Sequence, residues 1–135
     1  MINTRYFHLV FTLPHELNVI THYAQSELYS ALFEAVSKTL NKFAHNRKRL
    51  KRQLGITMVL HTWGQTLSQH IHMHCLVPGG VLDAANHWQS VKTDYLFPVK
   101  ALSRVFKAKM FEALRSRKVS IPDADKLMYM PWCVN

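Results

Sequence analysis

The sequence predicts an α+β fold, an antiparallel sheet of about three to five strands with helices packed on one face. Three observations predict it. Residues 5–13, 56–63 and 70–77 alternate in polarity or are rich in β-formers. Residues 25–53 and 98–116 repeat apolar side chains at helical spacing. Only Gly64 to Gln69 separates the second and third strand segments, a connection short enough for a hairpin.

The first strand is Arg5 to Leu13. Phe7, Leu9, Phe11 and Leu13 share one face, and Tyr6, His8, Val10 and Thr12 share the other. Pro14 stops it. The first helix, Gln25 to Gln53, carries Leu28, Leu32, Ala35, Val36, Thr39, Leu40 and Phe43 on one side. It ends in Arg47, Lys48, Arg49, Lys51 and Arg52, and Gly55 follows. The second strand is Ile56 to Trp63 and the third is His70 to Val77. Pro78-Gly79-Gly80 then supplies turn chemistry. A short strand is expected at Val81-Leu82, and irregular chain from Asn86 to Leu96. The second helix, Pro98 to Ser116, has a stripe of Val99, Leu102, Phe106, Met110, Ala113 and Leu114, with Lys100, Arg104 and Lys107 on another side. From Arg117 onward no period stands out. With no repeat and no linker, residues 1–135 read as a single domain.

Composition narrows the function classes. Apolar residues make up 48% of the chain, a globular value. No apolar run approaches the roughly 18 residues of a membrane span. Met1 to Arg5 lacks a secretory signal layout. Two distant cysteines, Cys75 and Cys133, make neither a disulfide framework nor a zinc ribbon. A reducing cytoplasm is the expected compartment. Seventeen Lys and Arg face eight Asp and Glu, a formal charge of +9. That excess points to a polyanion, with nucleic acid first and an anionic membrane surface second.

The sharpest local feature is His70-Ile71-His72-Met73-His74. On a strand the three imidazoles project to one face, and Ile71, Met73, Cys75 and Val77 enter the core. Alternate residues stand roughly 7 Å apart, so two ring nitrogens can converge on one divalent ion. If Trp63 pairs with His70 across the hairpin, His61 falls opposite His72 and Val59 opposite His74. His61 then joins the cluster as a third candidate ligand. His70 and His8 are accessory candidates, His8 because it lies on the open face of the first strand. Imidazole ligands alone suit Mn²⁺, Zn²⁺ or Ni²⁺ better than Mg²⁺.

These residues bring a family into view. His72-Met73-His74 resembles the His-hydrophobic-His (HUH) signature of rolling-circle Rep proteins, relaxases and their transposase relatives. Phe7 to Asn18, Leu60 to Gln65, His70 to Gly80, Phe97 to Val99 and Leu102 to Phe106 are similar, in that order, to the catalytic domain of rolling-circle, two-tyrosine insertion-sequence transposases of the IS ninety-one group. The likeness covers most of residues 5 to 115, and Met130 to Val134 extends it.

The resemblance implies an HUH-endonuclease (RRM/palm-like) core and a metal-dependent single-strand DNA endonuclease. In the family a tyrosine on a later helix attacks the phosphodiester and forms a 5′-phosphotyrosine link, which splits cleavage and rejoining into two steps. Carried over by position, His72 and His74 become metal ligands, with Mg²⁺ or Mn²⁺ the expected ion. The implied partner is DNA, as single strands or hairpin ends. Neither a membrane nor a small-molecule cofactor is expected. Arg47, Lys48, Arg49, Lys51, Arg52, Arg104 and Lys107 are the candidate DNA-binding residues.

Two departures shape the expectation further. The family's cysteine-rich zinc segment does not precede the first strand here. None of Tyr6, Tyr23, Tyr29, Tyr95 and Tyr129 sits in the nucleophile's motif. The expectation is a C-terminally incomplete transposase fragment that binds metal and DNA but cannot cut alone. It would leave an exposed sheet edge or apolar patch.

Two rival functions remain open. His70 to Leu76 also fits the HφHφHφφ pattern of histidine-triad nucleotide hydrolases, whose middle histidine attacks a phosphate without metal. A non-catalytic basic nucleic-acid-binding module is the other. Cys75 reads as a small buried hydrophobe. His15, His22, His45 and His87 read as surface residues.

Overall fold

The computed structural model describes residues 6–45, 57–63, 70–78, 80–82, 88–90 and 98–135. The elements are β1 (Tyr6–Thr12), a 3₁₀ segment (His15–His22), α1 (Gln25–His45), β2 (Thr57–Trp63), β3 (His70–Pro78), β4 (Gly80–Leu82), β5 (Trp88–Ser90), α2 (Val99–Ser116), α3 (Ala124–Tyr129) and β6 (Cys133–Val134). The predicted end of the first helix, its basic residues Arg47, Lys48, Arg49, Lys51 and Arg52, and the loop from Gly64 to Gln69 lie outside the described residues.

A four-stranded sheet runs in the order β2-β3-β1-β6, and β4 pairs with β5 in a separate ribbon. The pairings that build the main sheet are all antiparallel. Parity then sorts the side chains. Leu9 and Phe11 of β1 and Ile71, Met73, Cys75 and Val77 of β3 are buried on one face. His8 and the even-numbered residues of β3 take the other.

Helices cover the buried face. α1 buries Leu28, Ala31, Leu32, Ala35, Val36, Thr39 and Leu40, an unbroken three-and-four spacing. Thr39 is tolerated there because its hydroxyl donates to the Ala35 carbonyl at 2.6 Å. α2 buries Leu102, Phe106, Met110, Ala113 and Leu114. Phe106 meets Phe11 edge-on at 5.0 Å between ring centroids and Trp132 at 5.6 Å, which ties α2 to β1 and to the end of the chain.

The helix stripe needs two corrections. Val99 belongs to the expected stripe but is 37% exposed, because it is the first helical residue and overhangs the core. Phe111 lies outside the expected stripe but is buried, against Trp132 at 6.0 Å and under the Arg115 guanidinium at 5.1 Å. Its partner lies far along the chain, so the helical period does not reveal it.

The short elements also depart from expectation. Trp88–Ser90 is strand, not irregular chain, with Leu82 opposite Trp88 and Gly80 opposite Ser90. Three residues are too few to display a period of two. The 3₁₀ segment buries Leu17 and Ile20, whose i,i+3 spacing is the 3₁₀ repeat. The tail folds as α3 and β6. β6 covers part of the β1 edge, which the sequence leaves open, pairing Cys133 with Thr12 and Val134 with Phe11. Asn135 and Val10 then exchange backbone hydrogen bonds of 2.8 and 3.0 Å. Val59, on the outer strand β2, is 47% exposed.

α2 ends in a Schellman motif. Lys118 lies at φ 60°, the Val119 amide donates to the Leu114 carbonyl at 3.0 Å, and the Lys118 amide donates to the Arg115 carbonyl at 3.0 Å. No helix among the described residues is long and apolar enough to cross a membrane.

Candidate functional site

The register builds the site. His61 stands opposite His72, Val59 opposite His74 and Trp63 opposite His70. On the other side of β3, Thr12 stands opposite His72 and Val10 opposite His74. Directly opposed residues share a face. His61, His70, His72, His74 and His8 therefore gather on the open face, away from the helices.

Contacts order this cluster. The rings of His61 and His74 are 4.5 Å apart between centroids, and those of His72 and His74 6.3 Å. His70 stacks on His72 at 6.0 Å, nearly parallel. β1 holds the two central imidazoles from one side. The Thr12 hydroxyl is 2.9 Å from Nδ1 of His72. Nε2 of His8 is 3.0 Å from Nδ1 of His74, with the two rings stacked at 5.2 Å. Both Nδ1 atoms are thus engaged, which leaves Nε2 as the remaining ring nitrogen of each. Metal-binding histidines have this outer-shell layout, in which a neighbour fixes the ring through its other nitrogen.

Burial and neighbouring imidazoles disfavour protonation of His72 and His74. Burial, and then the imidazoles of His70, His74 and His61, push the His72 pKa below its ordinary value. Burial, followed by His61 and His8, does the same for His74. A neutral imidazole presents a lone pair. The donor chemistry therefore fits a divalent ion, although among the described residues no three His, Cys, Asp or Glu side chains form a metal cage as they stand. Beside the imidazoles lies a hollow of about 430 Å³, lined by His8, Thr57, Val59, His74, Cys75 and Leu76. Burial raises the Cys75 thiol to about 12, so it is a packing group and not a nucleophile.

Of the basic candidates, the two among the described residues, Arg104 and Lys107, do not join this face. α2 packs behind the sheet, carrying Arg104 and Lys107 with it. Lys107 is bound into the structure, where its ammonium donates to the carbonyls of Met128 at 2.7 Å and Met130 at 3.0 Å. Thr12 does not stand out in the sequence. Its place on the open face follows from strand alternation, but its partner requires knowing that β1 lies beside β3.

Comparison with known proteins places this geometry. Residues 55–129 match the model of a family described as "Putative transposase", Y2_Tnp. The chain belongs to this transposase family. It is 39% identical to "Putative transposase y4qJ" of Sinorhizobium fredii over 115 residues, 84% of this chain and 29% of that protein. It is 37% identical over 84 residues to the transposase for insertion sequence element IS801 of Pseudomonas savastanoi pv. phaseolicola, 62% of this chain and 20% of that one. The chain thus spans less than a third of the length of either relative.

Its fold is shared with the conjugative relaxase TrwC. The conjugative relaxase TrwC, complexed with a 27-mer DNA comprising the recognition hairpin and the cleavage site, superposes with a TM-score of 0.62 at 19% identity, covering 82% of this chain and 44% of that one. A metal-bound structure of TrwC with OriT DNA gives 0.60 at 22% identity over 82% and 43%. These matches do not favour the nucleotide-hydrolase reading.

Proposed function

We propose that this chain is the metal- and DNA-binding part of a rolling-circle transposase, acting on single-stranded DNA or hairpin ends. The observation that carries the reading is the register placing His61, His72 and His74 on one open face of a helix-backed sheet. TrwC, which shares the fold, has been solved with DNA and with metal bound, and the +9 charge suits a polyanion.

His72 and His74 would hold the divalent ion through their Nε2 atoms, with His61 as third ligand. Bound there, the ion supplies Lewis-acid polarisation of a phosphate. The chain's own residues prepare the site. Thr12 and His8 fix ring orientation through Nδ1, and burial lowers the His72 and His74 pKa values. The adjoining hollow suits a base laid beside the phosphate. Among the described tyrosines, the Tyr23 hydroxyl donates to the Ser120 carbonyl and the Tyr29 hydroxyl accepts from Gln25. Tyr129, on α3, is 86% exposed. We expect this chain alone to bind without cutting, and a covalent 5′ adduct with single-stranded DNA would overturn that expectation.

Calorimetric titration with Mn²⁺ tests the centre. Binding by the wild type and its loss in both His72→Ala and His74→Ala is the expected result. Absence of binding by the folded wild-type chain, or full binding by either variant, refutes the assignment.

A further inference from the structure

A second cavity, of about 290 Å³, lies away from the histidines between α2 and the turn into β6. Val99, Lys100, Ser103, Arg104, Lys107, Pro131 and Trp132 line it. Its walls are pinned. The Ser103 hydroxyl donates to the Trp132 carbonyl at 2.5 Å, and the Trp132 indole N–H to the Leu127 carbonyl at 2.9 Å. Lys107 holds the Met128 and Met130 carbonyls on either side of the same turn. Its charge is therefore committed to the wall.

Lys100 and Arg104 are different. Four residues apart, they share one face of α2. Both are exposed, and neither has a hydrogen-bond or ion-pair partner among the described residues. Two uncommitted cations thus border a preformed hollow with an apolar floor of Val99, Pro131 and Trp132. Cations beside an apolar surface are the pairing that a nucleotide within a single strand requires, phosphate on charge and base on carbon. The location suits a strand continuing from the histidines. Trp132 leads directly into Cys133, which pairs with Thr12, itself paired with His72. Cys133 therefore stands two strand spacings, about 10 Å, from His72.

We infer that this pocket is a second anchoring site for single-stranded DNA, in which Lys100 and Arg104 hold a backbone phosphate and the Val99, Pro131 and Trp132 floor seats the attached nucleotide. The inference rests on the DNA-binding reading above.

Fluorescence anisotropy of a labelled oligothymidylate with the 135-residue chain, over a range of salt, tests it. Each phosphate contact on a single strand contributes a salt slope of about 0.7, so Lys100→Ala/Arg104→Ala, which releases one phosphate, should lower the slope by about 0.7 and weaken binding about fivefold near ~0.1 M salt. Val99→Trp fills the hollow and keeps the charge. It should weaken binding with the slope unchanged. Lys42→Ala, an exposed lysine on α1, should bind as the wild type does. Circular dichroism checks that each variant is folded.

If the wild type binds and the double variant loses no more than Lys42→Ala, the pocket is refuted and the DNA-binding reading stands. A folded Val99→Trp chain with wild-type affinity also refutes seating in the hollow. Competition by oligoglutamate as strong as by unlabelled oligothymidylate would reassign the site to an acidic protein and overturn the inference. A wild type that binds no DNA overturns both readings.

Discussion

Thr12→Val isolates the positioning half of the proposed metal centre. The substitution keeps the β-branched shape and removes only the hydroxyl that sits 2.9 Å from Nδ1 of His72. Thr12 is paired with His72 across β1 and β3, so no other group has to move for the contact to be lost. The effect on folding should be small, about 0.5–1.5 kcal/mol, the net worth of one neutral hydrogen bond. The effect on Mn²⁺ affinity should be larger. Outer-shell partners of ligating histidines are worth about 10–100-fold in metal affinity, or about 1.4–2.8 kcal/mol. Titration calorimetry reads this directly, with urea unfolding of the same sample as the stability control. Thr12→Ser restores the hydroxyl and should recover most of the affinity. Unchanged affinity in folded Thr12→Val, with binding still abolished by His72→Ala, would refute the claim that Thr12 orients the ring.

Three further outcomes follow from the fold. Phe106→Ala removes a fully buried ring that touches Phe11 and Trp132; it should cost about 3–5 kcal/mol, read as a fall in the urea midpoint with the m-value preserved. Lys118→Gly relieves a left-handed residue at φ 60° and should raise the unfolding free energy by about 0.5–1 kcal/mol, the strain relieved less the added freedom of the unfolded chain, read as a rise in the urea midpoint. Stability should fall with acid in two windows. His72 and His74 have pKa values held below the ordinary 6.5, so their unfolded forms take up protons first and stability declines as pH drops below about 6.5. The Lys126 hydrogen bond at 2.8 Å holds Glu16 below its ordinary 4.5, so a second decline comes as pH falls through the lower carboxylate range. His74→Gln should flatten the upper window and Lys126→Ala the lower, both followed by thermal melts across pH.

Much of the site is legible because strand periodicity is strict. His70, His72 and His74 have to share a face once residues 70–77 form a strand. A short hairpin loop puts Trp63 opposite His70 and thereby His61 opposite His72. Residues bound by neither a period nor a turn stay hidden. Thr12 and His72 are 60 positions apart, and nothing local states that β1 enters the sheet between β3 and β6. β5, α3 and β6 have three, six and two residues, shorter than the windows in which hydrophobic patterning rises above composition. Lys107 has a structural role hidden for a related reason. Its basic character suggests a phosphate contact, whereas a turn twenty-odd residues later supplies two carbonyls for its ammonium.

Parity also explains how this fold can carry a polar site at little cost. On β3 the odd residues Ile71, Met73, Cys75 and Val77 are fully buried against the helices, while the even histidines between them face outward. Alternate residues of one strand therefore serve stability and chemistry separately. Changing His72 or His74 should leave the core intact, and changing Met73 should disturb the core before the imidazoles. β1 repeats the division, with Leu9 and Phe11 inward and His8 and Thr12 holding the Nδ1 atoms outward. β6 then secures the β1 edge and carries the chain on from the second, basic pocket. A strand of DNA crossing from the histidines toward that edge would meet the imidazoles on the sheet and then Lys100 and Arg104 on α2, which Phe106 packs against Phe11 of β1, so binding at either place need not reorganise the other. A double-mutant cycle between His72→Ala and Lys100→Ala/Arg104→Ala should accordingly be additive in oligothymidylate affinity to within about 0.5 kcal/mol, and a larger coupling would show that the two places form one deformable surface.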